Sequence, residues 1–463
     1  MNDPTRMHVF GPDTERLADA VLGYAVERIR MEPTLDGPRS LAALTAAAGT
    51  SITPTGIGGE EALRRWVEVL APACISQDHP RALSFVPSAP TEAAVLFDLV
   101  VGASSIYAGS WLEGAGAIYA ENEALRWIAD LAGLPEGAGG CFVTGGSAGN
   151  LSALVAARHT AARRRADEGR TRPARWKVAC STEAHSSVAA AARVMDVDVL
   201  DVPTDERGRL TGPALAATLD AEGSGVEDVF AVVATAGTTN AGMVDDLAGV
   251  AEVCGRHDLW LHVDGAYGGA ALAAPSVRSH FDGIERADSL VVDPHKWLFA
   301  PFDCAALVYR RPELARAAHT QSAAYLEVLH EPGPVNEWNP SDYAHHLSRR
   351  ARGLPFWFSL ATWGTDAYRD ALERTLEVAR DIARVIGHRA GFELVMEPVL
   401  SVVMFRRVGW AREDYRAWSA RMLADQVSLT VPSSWRGEPV MRFCIVNPRT
   451  TVDDLTGILD SMT

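Results

Sequence analysis

Long apolar runs are missing from this sequence. No stretch reaches the roughly 18–20 apolar residues of a membrane-spanning helix. The N-terminal MNDPTRMHVFGPD has no basic segment leading into an apolar one, so neither a span nor a secretory leader is expected. Cysteine is sparse. Cys74, Cys141, Cys180, Cys254, Cys304 and Cys444 are scattered without the paired spacing of a metal site or a disulfide framework. Reduced, mostly buried thiols in a cytoplasmic protein without a structural metal are the expectation. An excess of positive charge is also missing, with 43 Lys plus Arg against 59 Asp plus Glu and a net charge of −16. Nucleic-acid binding needs clustered cations. The short basic runs at Arg163–Arg165 and Arg349–Arg352 do not reverse the balance, and the first reads as a solvated helix face.

What is present suits a large soluble globular protein. Apolar residues make up 48% and charged residues 22% of 463 positions, enough to bury a core without crosslinks. Three regions separate along the chain. Residues 1–87 read as a helical arm, in which Leu63, Trp66, Val67 and Leu70 fall on one stripe of a helix over Glu60–Leu70. So short an arm has little core of its own and predicts packing on a second subunit. Residues 88–362 alternate helical stretches (Ser147–Arg165, His185–Met195, Asp245–His257) with short apolar runs. Those runs, Lys177–Cys180, Val197–Leu200, Phe230–Thr235, Leu259–Val263, Ser289–Val292 and Ala305–Tyr309, predict strands covered on both faces. The alternation predicts a large α/β domain with a mostly parallel sheet. Residues 363–463, with strands expected at Ser401–Arg406, Val427–Val431 and Val440–Val446, read as a smaller α+β domain.

Four clusters fall at strand ends in the middle region, where open α/β sheets bind ligands. Thr144-Gly145-Gly146-Ser147-Ala148-Gly149-Asn150 precedes a helix and offers a phosphate cradle, although a plain strand-to-helix turn with a serine cap has the same appearance. Ser181–Ser187 carries His185, which can stack on an aromatic ring or serve as a structural hydrogen-bonder. Leu261–Gly269 places Asp264 at the end of a strand, suited either to a ring nitrogen or to a turn. Val291–Trp297 places Lys296 after a buried strand and a proline turn, where desolvation is expected to lower its pKa and free the amine for imine formation. A snorkelling lysine is the alternative. In this order the four supply what pyridoxal phosphate (PLP) requires: a phosphate cradle, a ring contact, an acid for the pyridine nitrogen and a lysine for the aldehyde.

With these residues in view, the chain resembles the PLP-dependent group II amino-acid decarboxylases of fold type I. The likeness runs from His79-Pro80 to Arg442-Phe443 through TGGSAGNLSAL, EAHSSV, VVATAGTTNAGMVDDL, WLHVDGAYGG and DPHKWLFAPFDCAALVYR. The resemblance implies PLP held by Lys296, with Asp264 at the ring nitrogen, His185 on one ring face and Ala266 on the other. It places Ser147, Ala148 and His295 around the phosphate, and Thr239 and Asp245 near the ring and its supporting network. It also implies a homodimer with a swapped N-terminal arm.

Within the same resemblance, Ser322–Arg352 corresponds to a mobile loop and Ser341-Asp342-Tyr343 to its motif, making Tyr343 the acid that reprotonates the α-carbon. The spacing from Tyr343 to Arg349-Arg350 is shorter than in the animal enzymes, and packing is the other role open to Tyr343. Phe85, Val86, Pro87, Ile106 and Tyr107 match substrate-contacting stretches. They include no cation, so an aromatic or large aliphatic side chain is expected rather than glutamate. The expected reaction is decarboxylation to an amine and CO2. Its rivals are decarboxylation coupled to oxidative deamination, giving aldehyde, ammonia and hydrogen peroxide, and a catalytically silent protein of the same fold. A metal hydrolase built on His257, His262, Asp264 and His295 is the most distant, because no metal-binding spacing accompanies those residues.

Overall fold

A computed structural model describes residues 5–330 and 337–463. Seven strands form the central sheet: β1 (Gly139–Val143), β2 (Lys177–Ser181), β3 (Asp198–Val202), β4 (Val229–Thr235), β5 (Trp260–Asp264), β6 (Ser289–Val292) and β7 (Ala305–Tyr309). Their order is β1-β7-β6-β5-β4-β2-β3. β7 runs antiparallel to both its neighbours, β1 and β6, and the remaining pairs are parallel. Every residue of β4 is buried, which explains its uninterrupted Val-Phe-Ala-Val-Val-Ala run: a central parallel strand is covered by helices on both faces. The sheet register sets Thr235 of β4 opposite Asp264 of β5, and Asp264 opposite Val291 of β6, so the chemistry-bearing turns leave one edge together.

The helices Gly146–Asp167, Ser186–Met195 and Leu247–His257 follow β1, β2 and β4. His185 caps the second of these by accepting from Ser187 N–H, and Asp246 caps the third. β1 lies outside the predicted strand set. Its Gly139-Gly140 start masks it by propensity, yet a side chain at Gly140 would meet the Leu307 carbonyl of β7 at 1.9 Å.

A second, four-stranded antiparallel sheet is ordered β10-β11-β9-β8, from β8 (Phe392–Leu394), β9 (Val402–Arg407), β10 (Ser433–Trp435) and β11 (Glu438–Cys444). The strand predicted over Val427–Val431 does not form. That segment makes an isolated bridge between Leu429 and Ala82 instead. The boundary drawn at residue 362 falls within the helical span Leu354–His388, beside a kink at Gly364, whose φ of +77° favours glycine. Of the arm helices, Pro12–Arg30, Leu41–Ala48 and Gly59–Arg65 bury no residue within the chain.

Candidate active site

The carboxyl ends of β1, β4, β5 and β6, with the turn after β2, enclose a cavity of about 220 Å³. Its lining includes Thr144, Gly146, Ser147, Asn150, His185 and Ser187, together with Thr235, Thr239, Asp264, Ala266, His295 and Lys296. Gly146, the first residue of its helix, donates to Asp293 Oδ2 at 3.2 Å. A methyl group at Gly146 would stand 2.9 Å from Ala266 Cβ, so the close approach of turn and strand end requires glycine there.

Asp264 is 4% exposed and accepts from Ala266 N–H at 3.1 Å and from Asn150 Nδ2 at 2.8 Å. His185 Nδ1 accepts from Ser187 N–H at 3.2 Å and lies 2.8 Å from Ser187 Oγ. Lys296 Nζ sits 2.9 Å from Asp293 Oδ2. Burial pulls the Lys296 ammonium down, but the carboxylates of Asp293 and Asp264 more than offset it, and the net shift is upward. This corrects the expectation of a lowered lysine pKa. Desolvation acts as anticipated, yet the adjacent Asp293, not weighed from the sequence, holds the proton on.

Lysine is scarce in a way the motif reading overlooked. Of the 43 Lys plus Arg residues only Lys177 and Lys296 are lysines. Lys177 starts β2 and is paired with Glu222. Lys296 is therefore the sole lysine at the cavity, and that count alone would have singled it out.

The other anticipated residues divide. Ser147, Thr239, His295 and Ala266 line the cavity, whereas Ala148 packs one position further along the helix. Asp245 does not line the cavity; its two carboxylate oxygens accept from Leu210 and Thr235 N–H at 2.7 Å each. Burial pushes its pKa up to about 7. Tyr343 is 5% exposed, stacks on Trp338 with ring centroids 4.3 Å apart, and is not among the cavity-lining residues. Burial pushes its hydroxyl pKa up. Residues 331–336 of the anticipated loop lie outside the described residues.

Phe85 is 62% exposed with φ +58°, Val86 is half-buried, and Pro87 is buried. Ile106 and Tyr107 sit apart from the cavity, with Tyr107 Oη donating to Leu347 O at 3.0 Å. Arg442, absent from the anticipated site, joins the two regions: its Nη2 donates to the carbonyls of Phe85 and Thr239 at 2.7 Å each. Among the described residues no cluster of three or more His, Cys, Asp or Glu side chains is placed to hold a metal ion.

The donor set suits an anionic, aromatic aldehyde. It combines a glycine turn at a helix N-terminus, a carboxylate at a buried strand end, a histidine on one wall and a single lysine. Thr235 Oγ1 and Asp293 Oδ1, both buried at this cavity, have no protein partner and so leave polar capacity for a bound group. Residues 60–408 match the pyridoxal-dependent decarboxylase conserved domain. The chain belongs to this family.

An aromatic-L-amino-acid decarboxylase of Bacillus atrophaeus is 31% identical over 392 residues, covering 82% of this chain and 80% of the relative. Among solved structures, Oryza sativa TDC with PLP and tryptamine superposes with a TM-score of 0.90 at 23% identity, covering 98% of this chain and 99% of that one. Rhodiola rosea 4-hydroxyphenylacetaldehyde synthase gives a TM-score of 0.85 at 22% identity, covering 100% and 98%. The mostly parallel sheet with its small antiparallel companion is the fold-type-I architecture. This family member is a PLP-dependent amino-acid decarboxylase.

Proposed function

We propose that the enzyme decarboxylates an L-amino acid with an aromatic or large aliphatic side chain to the corresponding amine. The observation that carries this reading is the meeting of Lys296, Asp264 and His185 in one cavity. PLP, when bound, supplies the electron sink that accepts the pair left by departing CO2. Lys296, whose ammonium is paired with Asp293 at 2.9 Å, would hold it covalently. Asp264 would keep a proton on the ring nitrogen. His185 and Ala266 would flank the ring, and Ser147 and His295, with Ala148 next along the helix, would hold the phosphate. Thr239 would flank the ring, and Asp245 would support it by pinning the end of β4.

Arg442, a buried cation tied to the Thr239 carbonyl, is suited to the substrate carboxylate. Phe85, Val86 and Pro87 form the apolar side of the substrate site. Ile106 and Tyr107, separated from their own chain's cavity, act across a homodimer interface. The exposed apolar residues of the arm support that dimer.

The placement of Tyr343 favours keeping a second reading, decarboxylation coupled to oxidative deamination. Amino acid, O2 and water would give aldehyde, CO2, ammonia and hydrogen peroxide. The Tyr343 ring stacks on Trp338 and does not line its own chain's cavity, so within one chain it supplies no proton to the α-carbon. Absorption spectra of wild type and Lys296→Ala, recorded with a panel of L-amino acids while CO2 and peroxide are followed, decide between the two. An imine band lost in Lys296→Ala and CO2 without peroxide support the amine-forming reading. CO2 with peroxide transfers the assignment to the oxidative reaction. Absence of an imine band in PLP-supplied wild type overturns both. Borohydride reduction followed by peptide mapping is expected to mark Lys296 and leave Lys177 unmodified.

A further inference from the structure

Behind the cavity runs a buried polar chain that the reaction does not use directly. Asn150 is 0% exposed and divides its amide between three partners. Nδ2 donates to Asp264 Oδ2 at 2.8 Å and to Ser187 Oγ at 2.9 Å, and Oδ1 lies 2.8 Å from His262 Nε2. His262 Nδ1 lies 2.8 Å from Ser289 Oγ, which accepts from Trp260 Nε1 at 2.8 Å. Both ends of the chain are fixed by chemistry. An indole N–H only donates, and a carboxylate only accepts. Asn150 Oδ1 can only accept, so with His262 neutral the direction of every bond between them follows. Trp260 donates to Ser289, Ser289 to His262 Nδ1, His262 Nε2–H to Asn150 Oδ1, and the Asn150 amide to Asp264.

The second Asn150 proton extends the order to the other wall. Ser187 Oγ accepts from Asn150, which leaves its own proton for His185 Nδ1, already the acceptor of Ser187 N–H. His185 is thereby held with its ring proton on Nε2. Side chains from β5, β6 and the helix after β1 thus converge on one amide that touches both the acid and, through Ser187, the histidine.

We propose that Asn150 is a positioning residue that sets Asp264 and His185 together against the cofactor ring, and that Trp260, Ser289 and His262 orient it from behind. The inference rests on the reading of Asp264 and His185 as ring partners. Burial holds His262 down to about 4, so the ring is neutral at working pH and has one proton to place. An asparagine is required because no other side chain of that size offers two donors and one acceptor in a plane.

PLP dissociation constants for wild type, Asn150→Ala, Ser289→Ala and the double variant test the coupling, alongside ¹⁵N-histidine NMR of the wild-type holoenzyme. Asn150→Ala is expected to weaken PLP binding roughly tenfold, the scale of one hydrogen bond to a charged group. Ser289→Ala, whose side chain does not line the cavity, weakens it by a smaller factor, and the double variant is no weaker than Asn150→Ala. Multiplying factors, or unchanged binding in Asn150→Ala, overturn the proposal. If Asn150→Ala does not fold, the wild-type spectrum decides. His262 and His185 protonated on Nε2 support the chain, and a proton on Nδ1 of either overturns it. Failure of PLP to link to Lys296 would instead defeat the functional reading, whereas multiplying factors with that link intact defeat this inference alone.

Discussion

A single methyl group at Gly146 measures how tightly the cradle is built. In an ordinary helix, replacing glycine by alanine stabilises by up to about 1 kcal/mol. Here the added Cβ meets Ala266 Cβ at 2.9 Å and the Asp293 carboxylate at 3.2–3.3 Å, and a strand-end methyl has no rotamer by which to escape. Gly146→Ala is therefore expected to destabilise the cofactor-free protein by about 1–3 kcal/mol, in the range of overpacking, and to weaken PLP binding. Urea denaturation and PLP titration check the two effects, and a stabilised variant with unchanged affinity would refute the tight-cradle account. At this scale, Lys296, Asp264 and His185 were legible as cavity-lining residues because each follows a predicted strand within a compact motif, and Ser147 because it follows a glycine turn. Asn150, Ser187, His262 and Ser289 were not legible as a unit, because hydrogen bonds join positions that share no local pattern. Asp293 was read as part of the lysine's turn, and its carboxylate then reverses the direction expected for the lysine pKa.

Among the elements, the longest apolar runs showed most clearly, since a strand buried on both faces has a sequence no surface loop shares. β1 escaped because its glycines make room for β7, a cross-strand demand invisible within five residues. Val427–Val431 misled for the opposite reason. Its composition suits a strand, but it exchanges backbone bonds only with the 81–83 segment, through Leu429 N–H to Arg81 O and Leu83 N–H to Leu429 O. The basic run at Arg349 also changes meaning in three dimensions. Arg349 is buried and grips both Glu121 carboxylate oxygens, at 2.7 and 2.9 Å, while donating to Ala108 O. It thereby ties the segment bearing Tyr343 to the one bearing Ile106 and Tyr107. Arg349→Leu should cost about 3–5 kcal/mol by stranding a buried carboxylate, and adding Glu121→Leu should recover part of that loss. Urea denaturation of the single and double variants reads this directly, and a double variant as unstable as the sum of its singles would contradict it.

At the scale of the whole molecule, stability and assembly carry separate predictions. Burial holds His319 down to about 4, against an unfolded value of about 6.5. Its neutral form is favoured by folding, so its contribution is complete above about 6.5 and is lost as pH falls toward about 4. The thermal midpoint of His319→Gln should therefore gain on wild type between pH 7 and pH 5, and a constant gap would refute this. Assembly turns on the arm. Its helices bury nothing within the chain, and Leu22, Leu41, Ile52 and Trp66 stand exposed. Exposed apolar side chains in this number are a cost that a partner surface relieves. The dimer proposal expects a two-chain mass in sedimentation and a shift toward one chain in Leu22→Glu/Trp66→Glu. A one-chain mass for wild type would end it. The monomer produced this way separates cofactor from substrate. The residues proposed to hold PLP all belong to one chain, so the link to Lys296 should survive. Turnover should not, because Ile106 and Tyr107 reach no cavity of their own chain and lose the partner's when the interface opens.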